Sequence, residues 1–232
     1  MKFNIVTIFP EMFNSYLNES ILARAIKNKK INVKFFNPRD FSKDKHKKVD
    51  DKPYGGGPGM VMYAEPILKA VETALRNRKY KVESIKGKRL QPKTYNLKPK
   101  VIILSPSGKK FTNKIAKDWS KKFSDLIIIS GRYEGIDSRV KKILKAEEIS
   151  VGDYILTGGE LGAMIIIDSV SRQIDGVLGD RESIEENRIS TSEMYTRPEI
   201  IKHKDKSYKV PKVLLSGNHA EIEKWKQKSI KR

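Results

Sequence analysis

The chain of 232 residues contains no cysteine. That excludes disulfides and thiolate metal sites, and it suits a reducing compartment. Histidine is almost as scarce. His46, His203 and His219 are scattered, the first two inside lysine-rich segments, so no metal site is expected. Long apolar runs are missing as well. The N-terminal MKFNIVTIFPEMF is interrupted at Glu11, too soon for a secretory signal, and no run approaches a membrane span. The expectation is a soluble, cytoplasmic protein with no membrane partner. Neither the dinucleotide fingerprint G-x-G-x-x-G nor the Walker pattern ending in G-K-[ST] occurs. Acid is also in short supply: 28 Asp and Glu face 48 Lys and Arg, a formal net charge of +20. Such an excess points to a polyanionic partner, because neutralising phosphates releases counterions and drives association. Lysine outnumbers arginine 36 to 12. An AT-rich coding sequence could produce that ratio, but exchanging one base for the other leaves the charge unchanged, so the excess needs its own reason.

What is present suffices for one substantial core with a small appendage. Strand-length apolar runs recur as FNIVTIF (3–9), NVKFF (32–36), VIILS (101–105) and LIIIS (126–130), and helical patterns over 11–26, 64–76 and 111–123 separate them. Apolar strands alternating with helices predict a mostly parallel sheet covered on both faces. ELGAMIIIDSVSRQI (160–174) is too long for a strand and is expected to be a buried helix. Residues 78–100 are strongly basic and read as an extended loop or hairpin. The expected organisation is an α/β domain over 1–174, a linker over 175–198 and a small, basic, mainly helical domain over 199–232.

Three glycine-bearing loops sit where strands of an open α/β sheet run out, the usual place for a ligand. SPSG (105–108) ends VIIL, SGRYEGID (130–137) ends LIII, and SVGDYILTGGE (150–160) precedes the buried helix. Glycine lets main-chain groups approach a ligand with no side chain between them. A fourth stretch, DDKPYGGGPGMVM (50–62), holds four of the fifteen glycines within five positions. It opens no helix in the manner of a phosphate loop.

These segments carry a resemblance. VDDKPYGGGPGMVM, LSPSG, SGRYEGIDSR, ISVGDYILTGGELGAM, RQIDGVLG, YTRP and VPKVLLSGNH, in order along nearly the whole chain, are similar to the bacterial tRNA (guanine-N1)-methyltransferase family of the SPOUT class. The resemblance implies an α/β domain containing a deep trefoil knot, a homodimer with active sites at the subunit interface, and S-adenosylmethionine as methyl donor, bound bent in the knot. It implies a cofactor site of Ser105, Pro106, Gly108, Gly131, Tyr133, Val151, Gly152, Asp153, Tyr154, Ile155, Leu156, Gly158 and Gly159. It also implies tRNA contacts from Asp50, Gly57, Gly59, Met60, Tyr195, Arg197 and Ser216. The substrate is then a tRNA with guanine at positions 36 and 37, methylated at N1 of guanine 37 beside the anticodon, a modification that maintains reading frame.

Guanine N1 carries a proton and is not nucleophilic until a base removes it, whereupon charge builds on O6. The resemblance places Arg172 at O6 and Glu134 near the donor and target base. A carboxylate there suits a cationic sulfonium, although Arg132 and Arg139 are alternative partners for Glu134. The family's aspartate base is missing. Where the family reads E-S-x-x-x-D-S-F, this chain reads ESIEENRIS, with Asn187 at the aspartate position, and the segment before YTRP is about four residues short. Glu186 or Glu185 is the expected substitute. Two other readings remain open at this level: a knotted RNA methyltransferase with a different target, and an inactive RNA-binding homologue.

Overall fold

A computed structural model describes residues 1–76, 98–178 and 193–230. The chain divides into two compact units, Met1–Leu178 and Gly179–Arg232. The first is built on five strands: β1 (Lys2–Val6), β2 (Asn32–Phe36), β5 (Lys100–Lys110), β6 (Asp125–Ile129) and β7 (Glu147–Ser150). They form an all-parallel sheet in the order β2-β1-β6-β5-β7. A separate antiparallel pair, β3 (Asp50–Asp51) and β4 (Val61–Met62), flanks the glycine-rich stretch.

β6 shows why the sheet must be covered twice. Its sequence DLIII is buried at every position, and alternate residues leave on opposite faces. Leu126 and Ile128 join Phe3, Ile5, Ile102 and Ile166 in one cluster, whereas Ile127 and Ile129 join Val6, Ile67, Val71 and Ile103 in another. The first face is covered by α2 (Ser20–Lys27), α4 (Asn113–Lys122) and α6 (Glu160–Ser171), and the second by α3 (Ala64–Arg76) and α5 (Ser138–Leu144). α6 is buried through Ala163, Ile166, Ile167 and Val170, so the expected buried helix forms there. α4 opens on Thr112, whose hydroxyl accepts from the Ile115 amide, and α5 opens on Asp137, whose carboxylate accepts from the Arg139 amide.

Three expectations need correcting in detail. The helical pattern over 11–26 is not one helix but a 3-10 turn (Pro10–Phe13), α1 (Asn14–Leu17) and α2. The break at Asn18–Glu19 precedes Ser20 at φ 50°, and a continuous helix cannot pass through that conformation. SPSG does not end its strand. Leu104 and Lys109 both pair with Ile149, so residues 105–108 loop out and β5 resumes at Lys109. The small second unit contains a hairpin as well as helices: β8 (Ile200–His203) and β9 (Lys206–Lys209) precede α7 (Lys212–Leu215) and α8 (His219–Ile230). Its sequence alternates too little for period-two reasoning, and every residue of both strands is exposed.

Candidate active site

β6, β5 and β7 are neighbours, so the loops at their carboxyl ends lie side by side. They enclose a cleft of about 990 Å³. Of the residues expected to hold the cofactor, Ser105, Pro106, Gly131, Tyr133, Val151, Gly152, Tyr154, Ile155, Leu156, Gly158 and Gly159 line it, together with Glu134. Gly108 and Asp153 do not. A Cβ on Gly108 would sit 2.5 Å from the Glu148 carbonyl carbon and the Ile149 amide, so this glycine permits the close pairing of β5 with β7 that throws the SPSG loop outward. Asp153 turns away to Lys110, 2.5 Å distant.

The cleft floor is tied together by the main chain. The Gly159 amide donates to the Gly131 carbonyl at 2.9 Å, and a Cβ at 159 would meet the Ser130 backbone at 2.7 Å. Tyr133 adopts φ 61°, a left-handed conformation that a non-glycine residue holds only when its surroundings enforce it. Its ring, with those of Tyr154 and the side chain of Ile155, stands exposed in the cleft, Ile155 at 86%. Apolar surface left uncovered beside glycine-opened backbone is what an adenosine-bearing ligand needs.

Beneath these loops runs a buried polar network that the residue pattern did not announce. Glu160, 1% exposed at the start of α6, accepts the Thr7 hydroxyl proton at 2.8 Å and pairs with Arg132, whose Nε lies 2.9 Å from Oε2. That contact is close without the alignment of a hydrogen bond, so its attraction is between charges. Arg132 also donates from Nη1 to the Thr157 carbonyl at 3.2 Å and lies 4.7 Å from the centre of the Phe9 ring. Gly158 is glycine because Arg132 crosses it; a Cβ there would overlap the guanidinium. The sequence signal was Glu160 itself, a carboxylate opening the apolar ELGAMIII.

Glu134 is therefore not the partner of Arg132, which belongs to Glu160, nor of Arg139, which holds Asp137 with Nη2 at 2.5 Å from Oδ2. That pairing keeps the Asp137 carboxyl below its usual range. Arg172 is not brought to the cleft of its own chain. It caps the far end of α6, ten positions beyond Gly162, the cleft residue farthest along that helix, about 15 Å at 1.5 Å per residue. Nearby, burial pushes the Asp168 carboxyl up, while Arg172 and the Tyr16 hydroxyl oppose that shift.

Of the residues expected to meet tRNA, Asp50 pairs with Met62 across the β3–β4 ladder, and the Met60 carbonyl accepts from the Glu134 amide at 3.0 Å. Gly57 stands in open space at φ 112°. Tyr195, Arg197 and Ser216 belong to the second unit. There the Tyr195 ring lies 6.4 Å from that of Trp225 and its hydroxyl donates to Glu193, while the Ser216 hydroxyl donates to the Val213 carbonyl. Glu185, Glu186 and Asn187, and the basic segment 78–97, lie outside the described residues. Among the described residues no group of three His, Asp or Glu side chains could hold a metal ion.

A parallel α/β unit whose loops build a glycine-lined cleft at the strand ends defines the class, an α/β protein with a ligand-sized pocket, and a separate small unit follows it in sequence. The family model for tRNA (guanine-1)-methyltransferase TrmD matches residues 1–232, and the chain belongs to that family of enzymes. A tRNA (guanine-N(1)-)-methyltransferase of Ruminiclostridium cellulolyticum is 48% identical over 237 residues, spanning 100% of this chain and 92% of the relative. One of Carboxydothermus hydrogenoformans is 47% identical over 232 residues, covering 98% of this chain and 82% of its own length. The crystal structure of tRNA (m1G37) methyltransferase from Aquifex aeolicus superposes with a TM-score of 0.74 at 39% identity, covering 97% of this chain and 87% of that one. The sequence resemblance is thereby borne out, and the reading as a methyltransferase for a different RNA target is set aside.

Proposed function

We propose that this chain transfers a methyl group from S-adenosylmethionine to N1 of guanine 37 in tRNAs that carry guanine at position 36, in the cytoplasm, where the modification keeps the reading frame. The observation that carries the reading is the single cleft formed by loops 105–107, 131–137 and 150–159, with Glu134 on its wall. The cleft fits the donor: glycines expose backbone amides and carbonyls, Tyr154 and Ile155 offer apolar cover for an adenine, and Glu134 places negative charge near a sulfonium. When bound, S-adenosylmethionine supplies the electrophilic methyl group. The family's deep trefoil knot is supported by the way the segment after β7 returns against Ser130 and Gly131, the start of the loop after β6.

The chain's own residues have three tasks at the target base. A carboxylate takes the N1 proton, and Glu186 is the residue proposed for it, since Asn187 cannot serve at neutral pH. Arg172 balances the charge that gathers on O6. Glu134 orients the donor. Because Arg172 stands about 15 Å along α6 from Gly162, the cleft residue farthest along that helix, the arginine is supplied by a second copy, and the enzyme is a homodimer. Leu161 and Ile165, with Phe9, Met12 and Tyr16, are large exposed apolar residues on and beside α6, and they supply the surface for that second copy. The second unit, with Lys202, Lys204, Lys206 and Lys209 on and around its hairpin, holds tRNA backbone phosphates.

The test is transfer of labelled methyl from S-adenosylmethionine to unmodified transcripts. Label should enter tRNA with guanine at 36 and 37 and should vanish when guanine 37 is replaced. Incorporation elsewhere in the transcript would overturn the target, and no transfer at all would overturn the activity. Sedimentation of wild type and Leu161→Glu at matched concentration checks the dimer, which the charge should dissociate.

A further inference from the structure

We propose that Gly59 is a positioning residue for Glu134: the room left by its missing side chain fixes where that carboxylate stands. The inference rests on the reading of Glu134 given above. Three backbone hydrogen bonds join the two loops. The Glu134 amide donates to the Met60 carbonyl at 3.0 Å, the Met62 amide to the Gly135 carbonyl at 3.0 Å, and the Asp137 amide to the Met62 carbonyl at 3.1 Å. Met62 also forms a parallel bridge with Ile136. The segment Met60–Met62 thus holds the cleft loop 134–137 from behind.

Gly59 differs from its neighbours in one respect. Gly55, Gly56 and Gly57 have positive φ, and a Cβ on any of them would meet nothing within 4 Å. Gly59 has φ 80°, and a Cβ there would lie 2.5 Å from Glu134 Cγ and Oε1 and 2.9 Å from Cδ. The obstructed atoms belong to a flexible side chain rather than to backbone. A methyl group at 59 would therefore displace the carboxylate, in addition to the backbone strain that the positive φ imposes. The first three glycines are needed for backbone conformation, and Gly59 for that and for the room Glu134 occupies.

Gly56 supplies a control, since its φ of 78° lies in the same positive region as that of Gly59 without the contact. Gly56→Ala, Gly59→Ala, Glu134→Gln, Glu134→Ala and the double variant Gly59→Ala/Glu134→Ala would be compared. The readouts are melting temperature, S-adenosylmethionine affinity by calorimetry and single-turnover methylation of tRNA. The two glycine variants should melt alike. Gly59→Ala should lose about 10²-fold in rate, the scale of a 1 Å misplacement, while Gly56→Ala should stay within about twofold of wild type. In the Glu134→Ala background, Gly59→Ala should cost no more than about twofold further, because the group it displaces is gone. Equal losses in Gly56→Ala and Gly59→Ala, or a full additional loss in the double variant, would overturn the positioning role while leaving Glu134 in place. A Glu134→Gln enzyme as fast and as tight as wild type would instead remove Glu134 from the site, and the positioning role with it.

Discussion

Arg132→Ala isolates the buried pair under the cleft. In the folded chain Glu160 is 1% exposed and Arg132 16% exposed, and their closest atoms are 2.9 Å apart. Removing the arginine leaves a buried carboxylate to which the Thr7 hydroxyl still donates at 2.8 Å. An uncompensated buried charge typically costs about 3–5 kcal/mol. The loss also takes away the hydrogen bond to the Thr157 carbonyl and the stacking over Phe9, which pushes the expectation to the upper half of that range. For a unit of this size each kcal/mol lowers the melting temperature by about 2–4 °C, so a drop of roughly 8–20 °C is expected. Arg132→Ala/Glu160→Gln should recover a large part of it, because no charge is then stranded. The assay is thermal and urea denaturation at one fixed protein concentration, since any self-association would make the midpoint depend on concentration. A single variant that loses less than about 1 kcal/mol, or a double variant worse than the sum of its parts, would refute the claim that the pair acts as a buried charge unit.

Glu186→Gln should lower the single-turnover methylation rate by at least about 10²-fold and leave S-adenosylmethionine binding unchanged, whereas Asn187→Ala should cost far less; equal rates for wild type and Glu186→Gln would exclude Glu186 as the base. Gly108→Ala places a methyl group against the Glu148–Ile149 backbone, which cannot yield as a side chain can; denaturant titration should show a loss of about 1–3 kcal/mol. Tyr63 donates its hydroxyl proton to Asp51 at 2.7 Å, and this acceptor pushes the phenol up to about 12. The raised value stabilises the fold below the ordinary tyrosine range near 10, and that contribution disappears as pH rises through 12. Ultraviolet titration of wild type minus Tyr63→Phe should show one phenolate appearing near 12, and a step near 10 would show that Asp51 does not hold it.

Much of the lining of the candidate cleft was legible in the sequence. The apolar run LIIIS became the doubly buried β6, because a strand covered on both faces needs apolar residues at consecutive positions. The loop after β6 followed from where such a run stops, whereas β7 was not among the expected strands, because two of its four residues are glutamates. The outward bulge at SPSG was not legible, since it depends on how closely β7 approaches Gly108, a contact between distant parts of the chain. The partner of Glu134 was ambiguous for a related reason. Arg132 and Arg139 are near it in sequence, but Arg132 reaches a carboxylate 28 positions away and Arg139 turns back on its own helix cap. Sequence proximity says nothing about which charge wins once a side chain is buried. The break in 11–26 was hidden by an apolar spacing that continues straight through Asn18 and Glu19.

The edges of the parallel sheet bear on how copies of this protein can meet. An open strand edge invites strand addition from a neighbour, and proteins blunt it with charge and irregular backbone. β7, on one edge, is four residues long; its Glu147 pairs with Lys100 and Lys109, its Glu148 pairs with Lys141 at 2.6 Å, and its partner strand bulges beside it. β2, on the other, is five residues long and carries Lys34 between Val33 and Phe35. Growth of the sheet from chain to chain is thus discouraged at both margins. Strand addition is therefore a poor route for two copies to meet, and the helix-covered faces are the surfaces left for any closed assembly.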